Sequence, residues 1–234
     1  MITMNDQMTL FNLISKEIKR DIVCYAFGGN AMMFYGYKDE TKDIDILFEH
    51  EEERTEFIRV IKQLGYSETS ALKIYIPEKL RDPYRPLMFK TEESRFDLFV
   101  KKIFKTLLSP KMKEDFFAIH EFKNNNTLTV FVLRKEHLVL LKAITERDRD
   151  FEDIITITKK DKSFNWQYFI DEVIWQFQHG DSWVLYDTEK MLLELKKYIF
   201  IEEKYQKQLY GAVKIEEKIE KKKSNNAHNN KKLK

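Results

Sequence analysis

Between Ile22 and Phe48 the chain changes character four times in quick succession, and the order of those changes narrows the fold more than anything else in it. The apolar run Ile22-Val23-Cys24-Tyr25-Ala26-Phe27 has the length and β-branched content of a buried strand, and it stops at Gly28-Gly29. Asn30 to Tyr35 suits a short helix that Gly36 closes, and Lys38-Asp39-Glu40-Thr41-Lys42 makes a polar loop. Asp43 to Phe48 then reads as a second strand. The segment predicts a strand, a glycine turn, a helix and a strand in one compact unit of an α/β layer structure.

In a strand, residues two apart share a face, so Asp43 and Asp45 project together while Ile44 and Ile46 enter the core. Two carboxylates on one face repel each other unless a cation lies between them. Mg²⁺ is the expected cation, because it takes oxygen ligands, keeps some waters and is usually completed by substrate phosphates. A third ligand is expected from a neighbouring strand, and Asp97, in the run Arg95-Phe96-Asp97-Leu98-Phe99-Val100, is the best-placed acid for it. Gly28 and Gly29 let the backbone approach a triphosphate, and with Asn30 they open a helix whose first N–H groups are free to meet an anion. A lone Gly-Gly is usually a plain turn and a lone Asp-x-Asp a solvated edge; the ordered combination is what points to nucleotide chemistry.

Helical spacing is expected over Met8 to Lys19 and Glu51 to Leu64, the latter with Phe57, Val60, Ile61 and Leu64 on one face and acids at its start. Leu72 to Ile76 alternates as a strand, Pro77, Pro83 and Pro86 mark an irregular connection, and Arg95 to Val100 is another strand. Phe116–Phe122 and Leu128–Leu133, divided by three asparagines, form a hairpin or end the sheet. Beyond Leu133 the pattern is helical: Lys135 to Thr145, Phe151 to Thr158, Trp166 to Gln178 and Asp187 to Tyr205. The fold class expected is α+β, a mixed sheet with flanking helices followed by a helical C-terminal region. The division expected is 1–133 for the sheet domain, 134–213 for the helical domain and 214–234 for a charged, Asn-rich, disordered tail.

Charge excludes little in detail but one thing clearly. With 41 basic and 39 acidic residues there is no global field to recruit a polyanion, so any nucleic-acid contact is local. The single cysteine, Cys24, reads as a buried thiol and rules out an internal disulfide. The first twenty residues carry charges and read as an amphipathic helix rather than a signal peptide, and no run reaches the roughly 20 apolar residues of a membrane span. A cytoplasmic protein without membrane attachment is expected. The histidines His50, His120, His179 and His228 lack metal spacing, His137 reads as a surface residue, and Trp166, Trp175 and Trp183 read as packing for the helical half.

The run GGNAMMFYGYKDETKDIDILF resembles the signature of the DNA polymerase β-like nucleotidyltransferases, in which a Gly-Gly or Gly-Ser turn precedes an acidic pair. More narrowly, the chain is similar to the AbiEii-like nucleotidyltransferase toxins of type IV toxin–antitoxin systems. Glu136 to Ala143, followed by Arg147 to Ile154, looks like that group's helical lysine motif and its Arg/Lys-Asp motif. The resemblance covers about residues 20 to 160. It implies that Gly28 and Gly29 bind nucleotide phosphate, that Asp43, Asp45 and Asp97 hold Mg²⁺, that Lys142 reaches a phosphate and that Asp150 orients it. The serine often found after the first glycine is replaced here by Gly29. Without the resemblance, Lys142 is equally a helix-face lysine whose stem covers apolar surface, and Arg147 to Asp153 equally a solvated turn of paired charges.

The function so implied is Mg²⁺-dependent transfer of a nucleotide from an NTP to an acceptor hydroxyl, on RNA such as a tRNA end or on a protein. A toxin opposed by a cognate antitoxin is one biological setting. The alternative is a catalytically inactive protein of the same fold that binds or regulates.

Overall fold

The computed structural model describes residues 1–69, 85–145 and 147–215. The expected strand Leu72–Ile76, Pro77, Pro83 and the tail beyond 215 lie outside the described residues. The chain opens with β1 (Ile2–Thr3) and α1 (Met4–Glu17), whose start is fixed by a reciprocal cap: the Thr3 hydroxyl accepts from the Asp6 N–H and the Asp6 carboxylate accepts from the Thr3 N–H. β2 (Ile22–Phe27) runs into α2 (Gly28–Phe34), and Gly36 ends that turn at φ +69°. β3 (Glu40–Thr41) pairs with β1, and β4 (Asp43–Phe48) leads to α3 (Glu51–Gln63), which buries Phe57, Val60 and Ile61.

β5 (Ser67–Thr69), β6 (Leu87–Lys90), β7 (Arg95–Val100), β8 (Lys102–Ile103), β9 (Thr106–Leu107) and α4 (Pro110–Glu114) follow, then β10 (Phe116–Lys123) and β11 (Thr127–Leu133). The principal sheet has the order β10-β11-β2-β4-β7-β6-β5. It is mixed: β11 with β2 and β4 with β7 are parallel, while β10 with β11, β2 with β4, β7 with β6 and β6 with β5 are antiparallel. The asparagine-divided segments are therefore a hairpin, and it forms one margin of the sheet.

Alternation along the central strands separates two cores. Cys24, Ala26, Ile44, Ile46, Phe48, Phe96, Leu98 and Val130 pack against α1 and α3 on one face. Tyr25, Phe27, Leu47 and Phe99 point to the other, where the helical half covers them. That half comprises α5 (Lys135–Ala143), α6 (Asp148–Lys160), α7 (Trp166–His179), α8 (Trp183–Leu195) and a helical segment over 203–215. A mixed sheet with flanking helices and a helical C-terminal region is the architecture that the patterning predicts.

Three expectations are corrected. Asp187 to Tyr205 is not one helix: at the end of α8 the Lys197 and Tyr198 N–H groups turn to carbonyls three residues back, and Ile201 is buried in the connection before 203–215. His137 is not on the surface. It is fully buried, its Nε2 lies 3.2 Å from the Tyr168 hydroxyl, and burial with nearby Arg134 pushes its pKa down to about 3. Trp183 does not pack the helical half but is 61% exposed, with Lys105 over its ring.

Candidate active site

β4 supplies Asp43 and Asp45 on the face opposite Ile44 and Ile46, the face that looks toward the helical half. β7 runs parallel beside it, in a register that pairs Asp45 with Asp97 and Asp43 with Arg95. Neighbouring strands lie about 4.8 Å apart, so this register sets the Asp45 and Asp97 carboxylates side by side. The third acid anticipated from the sequence thus stands next to the pair. Asp97 is buried, Asp45 half-buried, and Asp43 opens to solvent.

The glycine turn closes over this cluster. Gly28 has φ +64°, a left-handed conformation costly for other residues, and a Cβ built on it would lie 2.1 Å from Asp45 Oδ2. The backbone of Gly28 therefore lies directly against the Asp45 carboxylate. At Gly29 a Cβ would sit 2.8 Å from the Thr41 hydroxyl, so side-chain bulk here is replaced by a hydroxyl from β3. Asn30, read from the sequence with the phosphate cradle, is fully buried; its Oδ1 accepts the Asp45 N–H at 3.0 Å and so fastens β4 to α2.

Facing the carboxylates, α5 presents Lys142 and α6 presents Asp150 and Asp153. Lys142 Nζ donates to Asp150 Oδ1 at 2.9 Å and to Asp153 Oδ2 at 2.7 Å, and all three are buried. Asp150 also accepts from the Thr145 hydroxyl and from Arg147, and Lys38 joins Asp153 at 2.7 Å. Burial opposes the Lys142 charge, but Asp150 and Asp153 outweigh it and its pKa is raised. Asp150 is held below the usual carboxylate range: burial works against its charge, and Lys142, Thr145 and Arg147 overcome that. The bland reading of Arg147 to Asp153 as a solvated turn is therefore replaced by a buried, three-sided ion network that holds the lysine at the cleft.

The acidic side is electrostatically unsatisfied. Burial, then the Asp97 and Asp43 carboxylates, push the Asp45 carboxyl well above the ordinary range. Arg95 answers part of this charge: its Nε donates to Asp97 Oδ1 at 2.7 Å, and its Nη2 lies 3.1 Å from Asp97 Oδ2 and 3.0 Å from Asp43 Oδ2. Among the described residues no three His, Cys, Asp or Glu side chains form a ready-made metal cage. The donor set nevertheless fits a hard cation: oxygen ligands only, like charges crowded together, and a glycine that leaves room above Asp45.

Both sides line one cleft of about 700 Å³, within the range of small-molecule sites, with Gly28, Gly29, Thr41, Asp43, Asp45, Asp97, Lys142 and Asp150 on its wall. Asn30 is the sequence-nominated residue that does not reach it. Sequence reasoning missed Arg95, Lys38, Thr41 and Asp153. Arg95 was legible as the residue two before Asp97 on the same strand face, and Asp153 as the i+3 neighbour of Asp150; Lys38 and Thr41 carry no such signal. Among the described residues no helix is long and apolar enough to cross a membrane. No protein-family model and no curated protein matches the chain. Among solved structures the chain is similar to the crystal structure of a provisionally assigned nucleotidyltransferase from H. pylori, at 16% identity over 94% of this chain and 96% of that one, with a TM-score of 0.41.

Proposed function

We propose that this chain is a divalent-cation-dependent nucleotidyltransferase of the polymerase β-like type, which moves a nucleotide from an NTP to an acceptor hydroxyl. The observation that carries the reading is the β4/β7 register, which sets Asp45 beside Asp97 with Asp43 on the same face, under Gly28 and across a cleft from Lys142. Asp43, Asp45 and Asp97 are the residues to hold Mg²⁺. When bound there, the ion lowers the pKa of an acceptor hydroxyl and neutralises charge on the leaving pyrophosphate. The acceptor oxygen attacks the α-phosphorus, the bond from that phosphorus to the bridging oxygen breaks, and pyrophosphate departs. The acceptor's proton passes to solvent or to a cleft carboxylate. Gly28 and Gly29 admit the phosphates close to the backbone, and Lys142, held by Asp150 and Asp153, directs its remaining N–H toward the triphosphate charge.

By the resemblance to AbiEii-like toxins, the acceptor is an RNA end such as that of tRNA, or a protein hydroxyl, and the protein works in the cytoplasm as the toxin of a toxin–antitoxin pair. The test is incubation with each α-labelled NTP and Mg²⁺, with total RNA or total protein as acceptor. Label in a macromolecule and release of pyrophosphate are expected, and both vanish in Asp45→Asn. No transfer from any NTP, together with no Mg²⁺-dependent NTP binding by calorimetry, overturns the proposal. A second reading, a non-catalytic nucleotide-binding protein of the same fold, is favoured by one observation: a guanidinium already bridges Asp43 and Asp97. Mg²⁺-dependent NTP binding without transfer to any acceptor would select it.

A further inference from the structure

Arg95 is the residue whose position the proposed chemistry does not use. Its place follows from two simple facts: residues two apart on β7 share a face, and the parallel register sets Arg95 opposite Asp43. The side chain therefore has an acid on its own strand and another on the next strand within reach. It takes both. Asp97 is gripped through both carboxylate oxygens and Asp43 through one, while among the described residues no cation pairs with Asp45.

The cluster is thus closed on an internal cation. Two of the three carboxylates, Asp97 and Asp43, share the Arg95 guanidinium, which is planar, permanently charged and about one-fifth exposed toward the cleft. A hard cation entering between Asp45 and Asp97 competes with Arg95 for Asp97, because both of its oxygens already accept from the guanidinium and a second positive charge beside it is repelled. A guanidinium so released would be left charged in a half-buried cleft, which is costly unless an anion meets it. A nucleotide phosphate is the anion whose geometry suits a guanidinium fork.

We infer that Arg95 is a resident counter-cation of the three-aspartate site, displaced from Asp97 and Asp43 by the divalent ion and received by a phosphate of the incoming nucleotide. This rests on the metal-dependent reading above and adds a regulation to that site. Without nucleotide the site resists metal; with nucleotide it accepts it, and by linkage each ligand tightens the other. In this scheme Arg95 acts first on the aspartates and then on the nucleotide phosphate that receives it.

The test measures Mn²⁺ affinity by electron paramagnetic resonance of the free ion, with and without a non-hydrolysable α,β-methylene NTP. In wild type, binding is weak alone and strengthens with the analogue. Arg95→Gln removes the competitor, so Mn²⁺ alone binds more tightly by about tenfold or more, and the strengthening by the analogue shrinks. Arg95→Lys keeps the charge but loses the fork, and is expected to fall between the two; it serves if Arg95→Gln does not fold. A merely structural arginine predicts the opposite sign, weaker metal binding in both variants. Unchanged or weaker Mn²⁺ affinity in a folded Arg95→Lys protein overturns the inference. Asp45→Asn separates the levels: if it binds Mn²⁺ as well as wild type, the metal reading itself fails, whatever Arg95 does.

Discussion

Replacing Gly28 by alanine tests the central contact of the site, because the same chain holds an internal control. Gly28 and Gly36 both have positive φ, +64° and +69°, so alanine at either position carries the same left-handed penalty of about 1–2 kcal/mol. Part of that penalty is offset by the stiffer unfolded chain, by about 0.4–1 kcal/mol. At Gly36 nothing lies within 4 Å of the new methyl, so the net loss is expected to be about 1 kcal/mol. At Gly28 the methyl meets Asp45 at 2.1 Å from Oδ2 and 2.8 Å from Cγ. The carboxylate has to leave its rotamer in a crowded cleft, which adds about 1–3 kcal/mol of overpacking.

Urea unfolding followed by tryptophan fluorescence gives both losses, and the excess of Gly28→Ala over Gly36→Ala isolates the contact. The double variant Gly28→Ala/Asp45→Ala sharpens the point. Removing the carboxylate leaves only the Asp45 Cβ, at 3.2 Å, so the excess is largely relieved and the two substitutions are strongly non-additive. Equal losses for the two single glycine variants, or additive losses in the double variant, refute the reasoning that Gly28 is glycine because of Asp45.

Lys142→Met leaves Asp150 and Asp153 buried without their shared cation and is expected to cost about 3 kcal/mol in urea unfolding. Its acid sensitivity also changes: Asp150, depressed in the fold, contributes stability present above its unfolded pKa and lost as pH falls through its lowered folded value. That acid-side loss in melting temperature shrinks in Lys142→Met, and an unaltered acid profile would contradict the pairing. Asp45 has the opposite sign, since its raised pKa means stability present at low pH and lost as pH rises through the folded value. In EDTA, Asp45→Asn is therefore expected to melt higher than wild type at pH 9, by at least about 1 kcal/mol, with a smaller gain at pH 5. Equal shifts at both pH values would show that the crowded carboxylates do not strain the fold. Asn30→Ala removes the acceptor for the Asp45 N–H and is expected to lose about 1–3 kcal/mol by the same unfolding assay.

How much of this was legible depended on whether the information was local. The strand Ile22–Phe27, its glycine stop and the strand Asp43–Phe48 were legible because period-two alternation and glycine conformations are properties of neighbouring residues. The partnership of Asp45 with Asp97 was legible only as a nomination, because which strands pair, and in what register, is decided by the whole sheet. Lys38 meeting Asp153 across 115 positions has no signature in either segment. His137 was misread although a signal existed: the run Leu138-Val139-Leu140-Leu141 is apolar on every side, which marks a helix buried all round, and every residue of α5 is buried. The merging of α8 with 203–215 failed for the converse reason, since helical spacing persists through a break that tight-turn hydrogen bonds and the burial of Ile201 impose.

The two faces of β4 and β7 explain how a cluster that disfavours itself is tolerated. Asp43, Asp45 and Asp97 lie on one face, where like charges oppose one another and burial raises Asp45. On the opposite face the intervening residues Ile44, Ile46, Phe96 and Leu98 are fully buried against α1 and α3. Each such side chain stabilises the fold by about 1.5–3 kcal/mol, so four of them exceed the few kcal/mol that crowded carboxylates cost. Because the strand period is two, the anchors and the acids cannot exchange faces without a register slip that would expose all four apolar groups together. The apolar face therefore fixes the acids where they are least comfortable, and Arg95 on one side and the Lys142 network on the other offset only part of that crowding.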